Sequence, residues 1–527
     1  MTPGRAELAT VALITLAGAA LRARYLSQPM RYDEAFTYLA YASQPLVKGL
    51  ARYDYPNNHL FHTLLAHLTT RAFGDQPWSL RLPAYTAGVA LVPAWWWAVR
   101  GLYPGAAGML TAGLVAGSSP LVEFSTNARG YMLVALDCAL LVCAGTALLR
   151  RATLPRWAGL AILIALGLWT VPVALLPVGA VVAWLGLETL ARRPPGGRRR
   201  FLAGLGVALV GAGCLTVVLY LPVLRGWGVG AVVGNRFVAP LGEEVLLRRL
   251  PGSLEGTWRL AVRDAPRALV LVLLVGVALG LLGHRRLGAQ RVPLLPVAVI
   301  WCGGLVLVQR VVPFPRVWLF LIPLAFGTAA AGLTLPWPRR RTPLAGPLAA
   351  LALLAVLAGA TVASGGVLRS PETGTLRAAA PMAAILRDRL APGDAVVAAL
   401  PANEPLAYYL DRDGIPPGPY LVRPGRDLLQ RRRLFLVVDE AEGQTLHGLL
   451  AAFLPGTVRL PGRPQMLGRW ESGSLYQVDL HPTAGRAASG APRCGRGRRG
   501  AGWGCSCRGP TGAGSRASRG SWSRCGR

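Results

Sequence analysis

Lysine is almost missing from this chain. Lys48 is the only one, and all other basic residues among the 56 are arginine. Acids are scarce too, at 24, and charged residues reach only 15%. An ordinary soluble protein carries roughly a quarter, so this composition excludes a large soluble enzyme and a charge-rich disordered chain. No Walker A loop and no dinucleotide-binding glycine fingerprint is present. Nucleotide hydrolysis and nicotinamide chemistry therefore have no sequence support. Eight cysteines are too few for a disulfide scaffold of 527 residues. Cys138, Cys143, Cys214 and Cys302 lie in apolar runs, where they act as small apolar residues. Cys494, Cys505, Cys507 and Cys525 lie near the end, and Cys505-Ser-Cys507 lacks a matching pair with zinc-type spacing.

What is abundant is apolar. The hydrophobic fraction is 53% and the mean hydropathy +0.42. A formal charge of +32 would usually suggest nucleic acid. The arginine-only skew, with 64 Gly and 42 Pro, reads instead as GC-rich coding bias. Where the arginines sit is more informative than how many there are.

A bilayer core of roughly 30 Å needs about 20 apolar residues per helix. Eleven candidate spans follow: 8–26, 80–99, 105–124, 130–149, 157–170, 172–190, 201–221, 268–283, 292–310, 317–335 and 344–365. The run from 157 to 190 is too long for one span and is divided at Pro172. Residues 1–26 read as a retained helix, because Arg22 and Arg24 stand where a signal peptide would show a small-residue cleavage site. With the N-terminus inside, the inner loops are 100–104, 150–156, 191–200, 284–291 and 336–343, and they hold Arg150-Arg151, Arg192-Arg193, Arg198-Arg199-Arg200, Arg285-Arg286 and Arg339-Arg340-Arg341. That is the positive-inside pattern. The outer segments are 27–79, the turn at 127–129, 222–267, 311–316 and the region after 365.

The expected architecture is an α-helical polytopic membrane protein of about eleven spans over residues 1–365, with its first outer loop at 27–79. A small C-terminal α/β domain over 366–480 lies outside the cytoplasm. β-type runs at 394–400, 433–439 and 474–480 alternate with helix-like stretches at 376–390, 404–410 and 444–454. Residues 481–527 hold ten Arg, twelve Gly and no acid. They read as a disordered tail or a shifted reading frame.

Chemistry concentrates in the first outer loop. Asp33-Glu34 stands seven residues past the first span in an acid-poor protein. Acids favour a first helical turn, but a carboxylate can also serve as general base toward an acceptor hydroxyl. Neighbours on a helix point about 100° apart, so one of the two acts as base and the other orients a loop, a cation or an arginine. Asp54, Asn58, His59 and His62 follow within ten residues. His59 and His62 share a helix face. Such a pair is more often hydrogen-bonded than metal-bound, although with Asp33, Glu34 or Asp54 it would admit a divalent cation. No other cofactor is indicated. Arg81, Arg129 and Arg316 stand at outer span ends, against the positive-inside trend. Intramembrane or juxtamembrane charge is a functional candidate, and arginine suits a phosphate. An ion pair with Asp33 or Glu34 is the plain alternative.

The order of first helix, Asp33-Glu34, an Asn/His-rich amphipathic segment, Gly74-Asp-Gln-Pro-Trp-Ser-Leu-Arg-Leu-Pro83, then Ser119-Pro120 and Ala128-Arg129-Gly130-Tyr131 resembles the GT-C membrane glycosyltransferases. Within them it is similar to the bacterial branch near the protein O-mannosyltransferases and the aminoarabinose transferases acting on lipid A. The likeness covers roughly residues 8–335 and is strongest over 27–135. It departs where many relatives carry a His-Pro-Pro-Leu-Tyr type of sequence and this chain has Asn57-Asn58-His59-Leu60-Phe61. The resemblance implies a polyprenyl-phosphate sugar donor, an acceptor hydroxyl on protein, lipid or polysaccharide, and inversion at the anomeric carbon. It also implies an extracytoplasmic active site on the cytoplasmic membrane, in cell-envelope chemistry without nucleic acid. By carry-over Asp33 is the base and Glu34 its partner, with Arg81, Arg129, Tyr131 and Arg316 near the cavity. The competing classes are a polar-lipid transporter or flippase, which would show internal repeats, and a membrane scaffold, which leaves the acidic loop unexplained.

Overall fold

A computed structural model describes residues 4–192, 194–234, 239–335, 344–422, 428, 430–453 and 463–480. The inner loop expected at 336–343 and the tail at 481–527, with its four cysteines, lie outside the described residues.

The chain runs α1 (Arg5–Ala23), α2 (Tyr32–Thr37), α3 (Leu46–Ala51), α4 (Leu60–Phe73), α5 (Pro77–Leu102), α6 (Ala107–Gly117), α7 (Ser119–Ser125), α8 (Tyr131–Arg150), α9 (Leu154–Thr170), α10 (Leu175–Ala191) and α11 (Arg198–Trp227). Next come α12 (Gly230–Val233), α13 (Glu243–Ala261), α14 (Arg267–Leu282), α15 (His284–Leu287), α16 (Leu294–Gln309), α17 (Leu321–Leu333) and α18 (Ala345–Ser364). Each expected span coincides with a helix. Among the described residues six helical segments are long and apolar enough to cross a membrane, and α6, α9, α14 and α16 are shorter apolar helices. The chain is a multi-pass helical membrane protein. Its outward faces carry apolar side chains such as Leu16, Val207, Val210, Ile300 and Val308, all more than half exposed. In water such a surface would be a liability; against lipid it is the expected one. Helices meet through small residues, as membrane packing favours. A Cβ on Gly332 would run into the Gly276 carbonyl, and one on Gly280 into that of Thr328, so α14 and α17 approach only because these are glycines.

Two expected spans differ in detail. The third is broken at Ser118 into α6 and α7. Pro120 has no N–H for the Ala116 carbonyl. The fully buried Arg22 of α1 takes over, donating to Ala116 O at 2.8 Å, Val115 O at 3.1 Å and Ser125 Oγ at 3.0 Å. The tenth span begins with a 3-10 segment, Pro315–Phe320, ahead of α17.

After α19 (Gly366–Arg369) the chain forms α20 (Ala379–Arg389), β1 (Ala395–Ala398), α21 (Asn403–Arg412), β2 (Arg433–Val438), α22 (Leu446–Phe453), β3 (Gln465–Trp470) and β4 (Gly473–Asp479). The sheet order is β1-β2-β4-β3. β1 and β2 are parallel, with Val396 opposite Phe435, while β2–β4 and β3–β4 are antiparallel. Three strands and three helices match the expected runs. β3 was not foreseen. It is mostly exposed, lacks clean alternation and bulges between Met466 and Gly468, so it carries little of the period-2 signal.

The division expected at residue 365 is crossed by a common core. Met30, Ala35, Tyr38, Ala66, Leu80 and Ala128 pack with Leu376, Met382, Leu406, Tyr408 and Phe435. Tyr38 meets Tyr408 edge-on, with ring centroids 5.5 Å apart. The first outer loop therefore rests between the helical bundle and the sheet region. Its rigidity depends on both.

Candidate active site

The segment before α2 is fixed first. Arg31 forms an isolated bridge with Thr375, and the Tyr32 amide donates to Gly374 O at 2.8 Å. The Arg31 guanidinium is buried on Glu123 at 2.8 Å and donates to Val367 O and Ser370 O. Arg263 pairs with the other Glu123 oxygen. This Arg31–Glu123–Arg263 group went unremarked in the sequence, because Glu123 stands inside an apolar run and its partners are 92 and 140 residues away.

Glu34 is fully buried and every acceptor direction is taken. Oε1 receives Arg81 Nε at 2.8 Å and the Ala128 amide at 2.6 Å; Oε2 receives Arg81 Nη2 at 2.6 Å and the Arg31 amide at 3.0 Å. Burial alone would raise its pKa, but Arg81, the Ala128 N–H and Arg31 outweigh it and hold the carboxyl below its ordinary range. Arg81 also donates to Leu26 O, Gln28 O and Pro29 O, so all its donors are used inside the protein. Of the two readings of Arg81, anionic ligand or ion pair, the geometry here is that of the ion pair with Glu34. Its fork is spent on Glu34 and on three carbonyls that no helix satisfies.

Asp33, one residue earlier, faces elsewhere. Its Oδ1 accepts from Asn57 Nδ2 at 3.3 Å. Its Oδ2 lies 3.3 Å from Arg316 Nη2. That contact is close enough for charge attraction but too poorly aligned for a hydrogen bond, so Oδ2 has no hydrogen-bond partner. Arg316 also donates Nε to the Tyr131 hydroxyl at 3.1 Å and Nη1 to Glu372 O at 2.9 Å. Arg129 donates to Thr37 Oγ1 at 2.8 Å, Asn57 O at 3.0 Å and Asn57 Oδ1 at 2.7 Å. The guanidinium carbons of Arg129 and Arg316 each lie 5.9 Å from the Tyr131 ring centroid. The two arginines therefore flank one aromatic ring, with the Asp33 carboxylate beside Arg316.

His59 extends this group. Its Nδ1 accepts the Gly130 amide at 2.9 Å, which puts the proton of the neutral ring on Nε2. Nε2 is 3.2 Å from Arg129 Nη2, itself only a donor. Two donors thus meet without an acceptor between them, an arrangement an anionic oxygen would relieve. His62 is fully buried with neither ring nitrogen hydrogen-bonded. Burial, then Arg129, pushes His62 down to about 3, and the same causes lower His59 well below its ordinary value. Both rings are neutral in the folded protein at neutral pH. In the unfolded chain they would bind protons below about pH 6.5. The stabilisation is therefore complete above about pH 6.5 and is lost as pH falls toward the folded values, by up to about 1.4 kcal/mol per pH unit per ring. Thermal melting of the detergent-solubilised protein should fall between pH 7 and 5, and His62→Phe should flatten that slope. An unchanged slope would show that His62 is already charged.

Two further expected residues serve the loop itself. Asn58 donates to Gly49 O and Arg52 O and accepts from Thr63 Oγ1 at 2.7 Å, bracketing the turn before α4. Asp54 is held by Arg52 at 2.6 Å and by the Tyr41 hydroxyl at 3.0 Å. Neither joins the Asp33 group. Asn57, not singled out in the sequence, does, because its side chain links Asp33 to Arg129.

Among the described residues no three His, Cys, Asp or Glu side chains converge. His59 Nδ1 is taken by the Gly130 amide, and Arg316 stands 3.3 Å from Asp33 Oδ2.

No family model and no curated protein matches the chain. Solved structures do. ArnT from Cupriavidus metallidurans in the apo state aligns over 90% of this chain and 98% of its own, at 14% identity and a TM-score of 0.54. The same protein bound to undecaprenyl phosphate gives 14% and 0.52 over the same shares. The Archaeoglobus fulgidus oligosaccharyltransferase, in complex with Zn and sulfate, aligns over 89% of this chain and 72% of its own, at 12% identity and a TM-score of 0.52. The fold is that of the GT-C glycosyltransferases. The likeness reaches beyond residue 335 and takes in the sheet region as well.

Proposed function

We propose that this protein is a membrane glycosyltransferase. It moves a sugar from a polyprenyl-phosphate donor to an acceptor hydroxyl, with inversion, at the extracytoplasmic face of the cytoplasmic membrane. The observation that carries the reading is a buried carboxylate with one oxygen not hydrogen-bonded, Asp33, placed with two arginines around Tyr131, on a GT-C fold. ArnT, of the same fold, is known bound to undecaprenyl phosphate.

In this mechanism Asp33 takes the proton of the acceptor hydroxyl. The acceptor oxygen forms a bond to the anomeric carbon from the face opposite the phosphate. The bond from that carbon to the phosphate oxygen breaks, and its electron pair leaves with the polyprenyl phosphate. The phosphate gains negative charge as this happens. Arg129 and Arg316 are the cations placed to stabilise it. His59 Nε2–H provides a further neutral donor. Glu34 and Arg81 hold the base in position without touching substrate. As the donor phosphate draws Arg316 from Asp33, the base is released when there is something for it to act on.

The test uses membranes holding the full chain and a panel of radiolabelled polyprenyl-phosphate hexoses and pentoses, with and without chelator. Label should pass from one donor into a product with inverted anomeric configuration, and the chelator arm reads whether a divalent cation takes part. Transfer with retention, or no transfer from any donor, would sink the proposal.

A further inference from the structure

Beside Asp33 lies a group of aromatic side chains that the reaction does not use. Tyr32 and Phe36, four apart on α2, stack with centroids 6.4 Å apart and rings inclined by 17°. Tyr55 meets Phe36 edge-on at 5.6 Å. The buried Tyr41 backs Phe36 at 5.8 Å. Tyr32 and Phe36 are half-buried, and Tyr55 is 37% exposed. These are not core residues; they form a platform with Tyr41 as its support.

Its rim is polar. Asn57, two residues past Tyr55, holds the Asp33 carboxylate. On the other side α21 begins with Asn403-Glu404, joined by a 3.0 Å hydrogen bond. Burial, then the neighbouring Glu404 and Asp33 carboxylates, pushes the Tyr32 hydroxyl up to about 12, so it stays a donor. Flat apolar rings edged by carboxylates, amides and a phenol suit one kind of ligand. A sugar ring presents a face of C–H bonds to an aromatic plane and a rim of hydroxyls to acceptors. A lipid tail would leave this rim unused, and a peptide would need backbone partners that no strand edge supplies here.

We infer that the Tyr32–Phe36–Tyr55 platform binds a sugar ring of the acceptor, so that the acceptor is a glycan and its hydroxyl is delivered to Asp33 from this side. The inference rests on the transferase reading above and narrows its acceptor from protein, lipid or polysaccharide to carbohydrate. Tyr55 and Phe36 act in acceptor binding; Asp33 alone takes the proton.

The experiment follows transfer from the active donor into two probes, a delipidated, protease-treated glycan fraction of the host cell envelope and a Ser/Thr-rich peptide. Label should enter the glycan. Tyr55→Ala should raise the acceptor KM about tenfold or more while kcat changes less than about twofold, and Tyr55→Trp should restore it. Tyr55 is 37% exposed, so these variants are expected to fold, and melting of the purified protein checks it. Label entering the peptide instead, or an acceptor KM indifferent to Tyr55→Ala, would overturn the platform and leave the transferase intact. Absence of label from both probes and from the membranes themselves would remove the transferase reading and this inference with it.

Discussion

Asp33→Asn is expected to lower transfer by about 10²–10⁴-fold, the usual contribution of a positioned general base, while the protein accumulates in the membrane at its normal level. The two halves of this expectation come from the same geometry. Asn has the shape of Asp and keeps an oxygen for Asn57 Nδ2, now 3.3 Å from Asp33 Oδ1. The side chain makes no other hydrogen bond, and its contact with Arg316 is loose. Little stability is therefore lost. What disappears is the site for the acceptor proton, because an amide is not a base at neutral pH. Raising the pH should not restore the rate, since nothing in the variant titrates into a base. Quantitative donor turnover by Asp33→Asn membranes, against matched wild-type levels, settles the role. Retention of more than about a tenth of the activity would move the base elsewhere.

Much of the architecture could be read directly from the chain. A long apolar run satisfies its backbone in lipid by forming a helix, so each of the eleven runs is helical, the third in two pieces. The strands at 395–398, 433–438 and 473–479 were legible because they are buried and rich in Val and Leu. What could not be read was which polar side chain meets which. Arg81 and Arg129 stand alike at outer span ends in the sequence. Arg81 closes on Glu34, while Arg129 reaches Asn57 and His59. Asn57 and Asn58 are adjacent and chemically identical, yet the turn before α4 directs one toward Asp33 and the other into the loop backbone. Such choices are set by packing between segments far apart in the chain, and periodicity carries no trace of them. The joint core of the first outer loop with Leu376, Leu406 and Tyr408 is hidden for the same reason.

Glu34 and Arg81 give the second large effect, and it should appear in folding and not in chemistry alone. Glu34→Ala would leave a fully buried guanidinium with its bidentate partner gone, a loss of about 3–5 kcal/mol for a broken buried pair. Against a total stability of about 5–15 kcal/mol, that is a large share of the margin, so folded yield and melting temperature should both fall. Arg81→Lys should be nearly as harmful, since an ammonium cannot reproduce the fork that spans Glu34 and the carbonyls of Leu26, Gln28 and Pro29. The pair should also show in pH dependence. The folded pKa of Glu34 lies below its ordinary value, so its stabilisation is complete above about pH 4.5 and declines as pH falls toward the folded value. A double-mutant cycle with Glu34→Ala and Arg81→Ala should give coupling near the upper end of the usual range, about 3 kcal/mol. Protein yield, melting temperature and transfer rate measured together separate the alternatives. If Glu34→Ala melts like wild type and yet transfers nothing, Glu34 takes part in the chemistry. If yield and melting fall together with activity, it is the brace that turns the neighbouring Asp33 toward Arg316 and Tyr131.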